Sequence, residues 1–285
     1  MHYFRPTTLA EAIAIRRRHD VTVIAGGTDI YPAATARRAW GEPVTGHILD
    51  LSAIAELRGI EDRVDHIHIG ALATWSDVIR TPLPPLFDGL KRAAREVGGV
   101  QIQNRGTVVG NCLTASPAGD GIPNLLALDA TFDIAGETVL GMPASSFFTG
   151  YRKTACGPQS LVTGIRIPKR AGRGHFLKLG ARRYLVISIA MVAVTVETDD
   201  ENRILSARIA VGACSAVAKR LGALEAAVMG MRLSEAADIA RAAQLTELDP
   251  IDDIRASGAY RLAAARHLVA DALRDLATPS ARHAA

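Results

Sequence analysis

The chain has 285 residues, 48% of them hydrophobic and 22% charged, a balance that supports a buried core and excludes a disordered chain, and its length suits two or three packed subdomains. The net charge is only +4, and the basic residues fall in short clusters (Arg16–Arg18, Arg37–Arg38, Arg182–Arg183) with no RNA-binding aromatic motif or helix-turn-helix signal, so no nucleic-acid partner is expected. Ile187–Val196, the longest apolar stretch, reaches about half the length that crosses a bilayer and is broken by Ser188 and Thr195, while Met1–Pro6 lacks the order of a secretory signal; neither a membrane span nor export is expected, and the cytoplasm is the expected location.

In chain order, Thr8 and Glu11 form a capping box, and Leu9, Ala12, Ile13 and Arg16 describe a short amphipathic helix with cationic residues at its carboxyl end. A strand at Val21–Ile24 runs into Ala25-Gly26-Gly27-Thr28-Asp29, a turn where glycine permits unusual backbone angles or close approach of a ligand. Strands follow at His47–Leu51 and His66–Gly70. His66 and His68 alternate on the latter, but without a third ligand they read as ordinary strand residues, and no metal site is expected. Thr74 and Asp77 cap a brief helix that stops near Pro82, and Leu86, Leu90, Ala93, Ala94 and Val97 carry helical spacing until Gly98-Gly99.

Gln101–Pro123 is too irregular for one element and too apolar at Val108 and Val109 for a linker, which makes it a candidate binding loop. A short helix near Asn124–Leu128 and a strand at Thr131–Ile134 come next. Alternation over Leu161–Ile167 marks a strand ended by Pro168, and Lys169–Gly174 reads as a linker. Strands at Phe176–Leu179, Ile187–Val196 and Leu205–Val211 precede helices near 216–229, 234–243 and 257–277, the last with an apolar stripe of Leu262, Ala265, Val269, Leu273 and Leu276. Three strands followed by three helices form a separable α+β unit.

Cys112, Cys156 and Cys214 are far apart with no CxxC or CxH spacing, which argues against a disulfide framework or zinc, and three thiolates fall short of the set that holds an iron–sulfur cluster. They read as small apolar fillers. The chemistry concentrates in two glycine turns, AGGTD at Ala25–Asp29 and TVVGN at Thr107–Asn111. Small residues in such turns let backbone N–H groups converge on the oxygens of a diphosphate. Neither turn matches GxGxxG or GxxxxGK, so the familiar nucleotide folds are disfavoured.

AGGTDIYP, QIQNRGTVVGNCLTASPAGDGIPNLLALDA, FFTGYRKTACGPQSLVTGIRIP and FLKLGARR, together with the KRLGALEAAVMG helix, resemble in order and spacing the FAD-binding medium subunit of the molybdenum hydroxylases, the family of xanthine, carbon monoxide and quinoline-type dehydrogenases. The resemblance spans nearly the whole chain. It implies an α+β fold in which a two-part FAD-binding domain, residues 1–58 and 59–172, precedes a smaller domain at 173–285 with three antiparallel strands and a helical bundle. It also implies one non-covalent FAD, held by Ala25, Gly26, Gly27, Thr28 and Asp29 and by Thr107, Val108, Gly110 and Asn111. Further contacts map to Asp120, Val97, Val162 and Lys178, and Lys178 would favour negative charge on a reduced flavin. Tyr184 lies where some relatives bring an aromatic ring over the flavin, and a core tyrosine is the alternative.

The family pattern is usually TxGGN, and Val109 replaces its first glycine; a β-branched residue there is expected to keep ordinary angles. Tyr151-Arg152-Lys153 reads as structural or as a subunit contact. By the same resemblance the chain is an oxidoreductase subunit with no catalytic side chain of its own. Its partners would be a small subunit with 2Fe-2S clusters and a large one with molybdopterin, in a dimer of heterotrimers. Electrons would pass from the clusters to NAD, a quinone or oxygen. A stand-alone flavin oxidoreductase and an assembly subunit without FAD are the competing readings.

Overall fold

The computed structural model describes residues 2–41, 46–136 and 139–278. Its first layer contains β1 (Tyr3–Phe4), α1 (Leu9–Arg18), β2 (Val21–Ile24), α2 (Ile30–Ala39) and β3 (His47–Asp50), with the strands parallel in the order β1-β3-β2. Parallel neighbours need a crossover, and α2 provides the one from β2 to β3. The sequence reading missed α2. None of its residues is buried, so it carries no apolar stripe, and Pro32 falls in its first turn, where proline is tolerated. At α1 the Thr8 hydroxyl accepts from the Glu11 N–H at 3.3 Å as expected, but the reciprocal bond shifts by one residue: the Glu11 carboxylate accepts from Thr7 N–H at 3.1 Å.

The second layer runs through β4 (Ile60–Asp62), β5 (His66–Gly70), α3 (Trp75–Arg80), α4 (Asp88–Glu96), α5 (Val100–Gln103), α6 (Val108–Leu113), α7 (Gly121–Ala127), β6 (Thr131–Ala135), β7 (Val139–Pro143), α8 (Ala144–Phe147), β8 (Phe148–Gly150), β9 (Lys153–Thr154) and β10 (Leu161–Pro168). Five of its strands form an antiparallel sheet in the order β4-β5-β10-β6-β7. The capping box at α3 is complete, with Thr74 Oγ1 accepting from Asp77 N–H at 3.2 Å and Asp77 Oδ2 accepting from Thr74 N–H at 2.8 Å. Phe132 and Phe147 stack at 3.9 Å between centroids under the sheet, with Phe148 edge-on to both. The stretch 101–123, expected as an irregular loop, holds α5, α6 and the start of α7; helices of four to seven residues are too short to display a 3.6-residue period.

The third layer is β11 (Arg173–Leu179), β12 (Ala190–Thr198), β13 (Ile204–Gly212), β14 (Lys219–Arg220), α9 (Gly222–Ala227), α10 (Leu233–Ala242) and α11 (Gly258–Ala277), with the strands antiparallel in that order. The three expected strands are present, the two-residue β14 is added, the linker shortens because β11 begins at Arg173, and the helix expected from 216 starts only at Gly222. Along β12 the side chains alternate between two cores. Ala190, Val192, Val194 and Val196 pack with α10 and α11, while Met191 and Ala193 join the core of the second layer. This is why the strand is a continuous apolar run rather than an alternating one.

Thr195 Oγ1 donates across the same junction to Ala127 O at 2.9 Å. An ionic knot closes its edge: Asp129 accepts from Arg170 and Arg208 at 2.5 Å and from Arg220 at 2.9 Å, and Arg220 also pairs with Glu225. Burial pushes the Asp129 carboxyl up, but the three guanidinium groups outweigh it and hold the carboxyl below its ordinary value of 3.8. Its stabilisation is therefore complete above that value and is lost as pH falls through the lower folded pKa. Asp129→Ala leaves like charges clustered and is expected to cost about 1–3 kcal/mol, less in high salt than in low. Urea unfolding at two salt concentrations measures this, and a loss independent of salt refutes the electrostatic account.

Candidate cofactor site

The segment after β2 turns because its glycines allow it. Gly27 has φ +75°, a left-handed conformation that glycine adopts without steric cost, and the Tyr31 ring covers the place where a side chain would be. Space is the constraint at Gly26. A Cβ there would overlap the Arg105 carbonyl, standing 2.6 Å from its carbon and 3.1 Å from Gly106 Cα. The Ala25–Asp29 turn therefore rests on the main chain of Arg105-Gly106, directly before Thr107, and the two segments singled out in the sequence meet. Asp29 is exposed and precedes α2.

The second segment is not a turn, contrary to the sequence reading. Thr107 caps α6, its hydroxyl accepting from Gly110 N–H at 3.0 Å, and Val108–Asn111 open the helix. Val109 keeps ordinary helical angles, and its side chain is buried with that of Val108. Asn111 Oδ1 is buried and has no hydrogen-bond partner among the described residues, with the main chain of Gly119 and Gly121 close by. An orphaned buried acceptor costs about 1–3 kcal/mol, so a donor brought by a bound molecule would be satisfied there.

Trp75 fixes the spacing of these parts. Its indole, 1% exposed, has Cδ1 3.6 Å from where a Cβ of Gly106 would stand and Cη2 2.7 Å from the same point at Gly121. The Trp75 main-chain N–H donates to Gly106 O at 3.1 Å, and Thr74 forms a bridge with Thr107.

Asp120, next to α7, is buried. Its Oδ2 accepts from Lys178 Nζ at 2.8 Å and its Oδ1 from Ser188 Oγ at 2.7 Å. Burial pushes this carboxyl up, and the Lys178 charge and both hydrogen bonds pull it back only in part. Lys178 is thus one half of an ion pair rather than a lone cation. Val97 ends α4, half-buried against the core. Two residues on, Gly99 faces Leu185 of the 180–187 loop, whose Tyr184 is 62% exposed with the Arg183 guanidinium over its ring at 5.2 Å. Tyr184 is therefore a surface aromatic and not a core one. Val162 packs inside the second-layer sheet opposite Ile134, with its side chain in the core. An open cleft of about 500 Å³ beside this loop is lined by Arg92, Arg95, Lys178, Arg182, Arg183 and Val186, among others.

Residues 1–170 match the family described as the FAD binding domain in molybdopterin dehydrogenase, and residues 175–276 match the CO dehydrogenase flavoprotein C-terminal domain. The chain belongs to the FAD-binding medium subunits of the molybdenum hydroxylases. It is 35% identical to the nicotinate dehydrogenase FAD-subunit of Eubacterium barkeri over 70% of this chain and 69% of that one. It is 29% identical to the nicotine 6-hydroxylase medium subunit of Paenarthrobacter nicotinovorans over 94% of each. Among solved structures, a carbon monoxide dehydrogenase from Hydrogenophaga pseudoflava that lacks the Mo-pyranopterin moiety of its molybdenum cofactor matches with a TM-score of 0.86 and 28% identity, covering 97% of this chain and 96% of that one.

As a medium subunit the chain is part of an oxidoreductase and FAD is its cofactor. The residues present fit that group: two backbone segments that touch, an orphaned Asn111 acceptor matching a hydroxyl or amine donor of FAD, and a buried ion pair at the head of α7. Gly26, Thr28, Thr107, Asn111 and Asp120 are gathered around Arg105-Gly106 and Trp75, and Lys178 joins them through Asp120. Tyr184 lies on the loop beside the cleft and Val97 is two residues from Gly99, which faces that loop, whereas the Val162 side chain is occupied by packing. Trp75, Ser188 and Arg105 were not foreseen. The Thr74–Asp77 cap locates Trp75 at a helix start, yet nothing in the sequence gives its depth. Burial also accounts for the thiols of Cys112 and Cys214, both buried, with Cys214 pushed up to about 11.

Proposed function

We propose that the medium subunit binds one FAD non-covalently, with the diphosphate between Ala25–Asp29 and Thr107–Asn111 and the flavin towards Asp120, Lys178 and Tyr184. The observation that carries this reading is the packing of the Gly26 turn on Arg105-Gly106, which brings the two segments side by side. Bound flavin exchanges electrons singly or in pairs, so it joins one-electron donors to a two-electron acceptor. The chain's own residues hold and orient it. Gly26 keeps the first segment low against the second, Asn111 accepts a donor of the cofactor, and Asp120 fixes the Lys178 ammonium.

Electrons would arrive from 2Fe-2S clusters in a small partner subunit, fed by a molybdopterin-bearing large subunit, and leave to NAD, a quinone or oxygen. The relatives' descriptions as a medium subunit and an FAD-subunit support partner chains. A dimer of such heterotrimers in the cytoplasm is the assembly proposed, with residues 1–58, 59–172 and 173–285 as its folding units. No helix of the described residues is long and apolar enough to cross a membrane.

An absorbance spectrum of the purified chain, repeated on the supernatant after acid denaturation, tests the reading. Flavin bands near one per chain that leave with the supernatant are expected. A protein that stays colourless with added FAD refutes it in favour of an assembly subunit, and turnover of a small substrate without partners points to a stand-alone oxidoreductase.

A further inference from the structure

Ser188 stands at the end of the loop before β12, 1% exposed, with its hydroxyl on Asp120 Oδ1 at 2.7 Å. Beside it, the buried Arg261 of α11 donates from Nη1 to Ile189 O at 2.6 Å and to Ala213 O at 3.0 Å, and from Nη2 to Asp253 Oδ1 at 2.7 Å. Ala213 N–H in turn donates to Pro117 O at 2.8 Å. The third layer thus grips the segment leading into α7 at two points, through the main chain at Pro117 and through Ser188 at Asp120. Ser188 is pinned from behind by its neighbour Ile189, so its hydroxyl is delivered from a rigid base.

Each oxygen of the Asp120 carboxylate has its own donor. Lys178 from β11 takes Oδ2 and Ser188 takes Oδ1, while Asn124 of α7 donates only to the Asp120 main-chain oxygen, at 3.2 Å. Among the described residues, Lys178 and Ser188 are the side chains that bond to this carboxylate, and Lys178 is the charged group that faces it. We propose that Ser188 is a positioning residue of the flavin site, whose hydroxyl holds Asp120 with Oδ2 towards Lys178 and thereby sets the charge that the pair presents to the cofactor. This rests on the reading that Asp120 and Lys178 face FAD.

The physical reason is the depth of the carboxylate. Desolvation already favours its protonated form, and the two hydrogen bonds favour the charged one. Removing the Ser188 donor shifts that balance, so the carboxyl takes up a proton at higher pH. Lys178 then carries an uncompensated positive charge beside the cofactor, which favours the reduced, more negative form.

Ser188→Ala and Ser188→Thr test this by two readouts. In FAD-free protein, carbon-13 NMR of the aspartate carboxyls is expected to move the Asp120 titration to higher pH in Ser188→Ala and to return it in Ser188→Thr, which keeps the hydroxyl. In FAD-loaded protein the flavin midpoint potential is expected to rise in the alanine variant, over the pH range where the proton is bound, and to return in the threonine variant. An Asp120 titration identical in all three proteins overturns the role of Ser188. A shifted titration with an unchanged potential overturns the placement of the pair against the flavin, and the proposal with it.

Discussion

Gly26→Ala is expected to weaken FAD binding by about 10- to 100-fold while leaving the fold in place. The added methyl would meet main-chain atoms of Arg105 and Gly106, which have no rotamer through which to yield, so the Ala25–Asp29 turn must lift from the segment before α6. Overpacking of this kind costs about 1–3 kcal/mol, and each 1.4 kcal/mol corresponds to about tenfold in affinity. The clash lies in a half-buried turn between β2 and α2, so the penalty falls on the spacing of the two segments proposed to hold the cofactor more than on the core. Flavin-fluorescence titration of apoprotein measures the dissociation constant, and circular dichroism checks the fold. An unchanged constant with an intact fold would remove Gly26 from the site.

The largest effect on stability is expected at Trp75. It is among the largest fully buried side chains and touches both Gly106 and Gly121, so Trp75→Ala opens a cavity between α3, the α6 segment and α7. Truncations of this size cost about 3–5 kcal/mol, and in chains of 150–250 residues each kcal/mol corresponds to roughly 2–4 °C in melting temperature. Trp75→Phe refills part of the space and should recover part of the loss. Because the cavity separates Gly106 from Gly121, added FAD should restore the alanine variant less than it stabilises the natural protein. Melting curves with and without FAD provide the comparison, and equal stabilisation of both proteins by FAD would show that Trp75 supports the core without spacing the site.

Local chemistry was legible where it is self-contained. Thr74 and Asp77 announce a helix start because both partners of the capping box lie within four residues, and the structure contains that box complete. The β5 strand at His66–Gly70 and the α11 stripe of Leu262, Ala265, Val269, Leu273 and Leu276 follow from periodicity over an element long enough to express it. The helix α2 escaped because it buries nothing, and α5 and α6 escaped because neither completes two turns. Val109 was correctly expected to avoid positive φ, yet the helix that explains this was not foreseen.

The sequence alone determined the family, through four motifs in a fixed order, and with it FAD as the cofactor, because glycine-containing motifs and their flanking residues are short-range signals that survive in one dimension. Only the tertiary structure decided how those motifs meet. Contacts between Gly26 and Arg105, Trp75 and Gly121, or Asp120 and Ser188 join residues tens of positions apart, and no local pattern encodes such a pairing. The same holds for charge: Lys178 is a cation in the sequence, but with Asp120 at 2.8 Å inside the protein it becomes half of a buried pair, since its effective charge depends on what folding brings beside it.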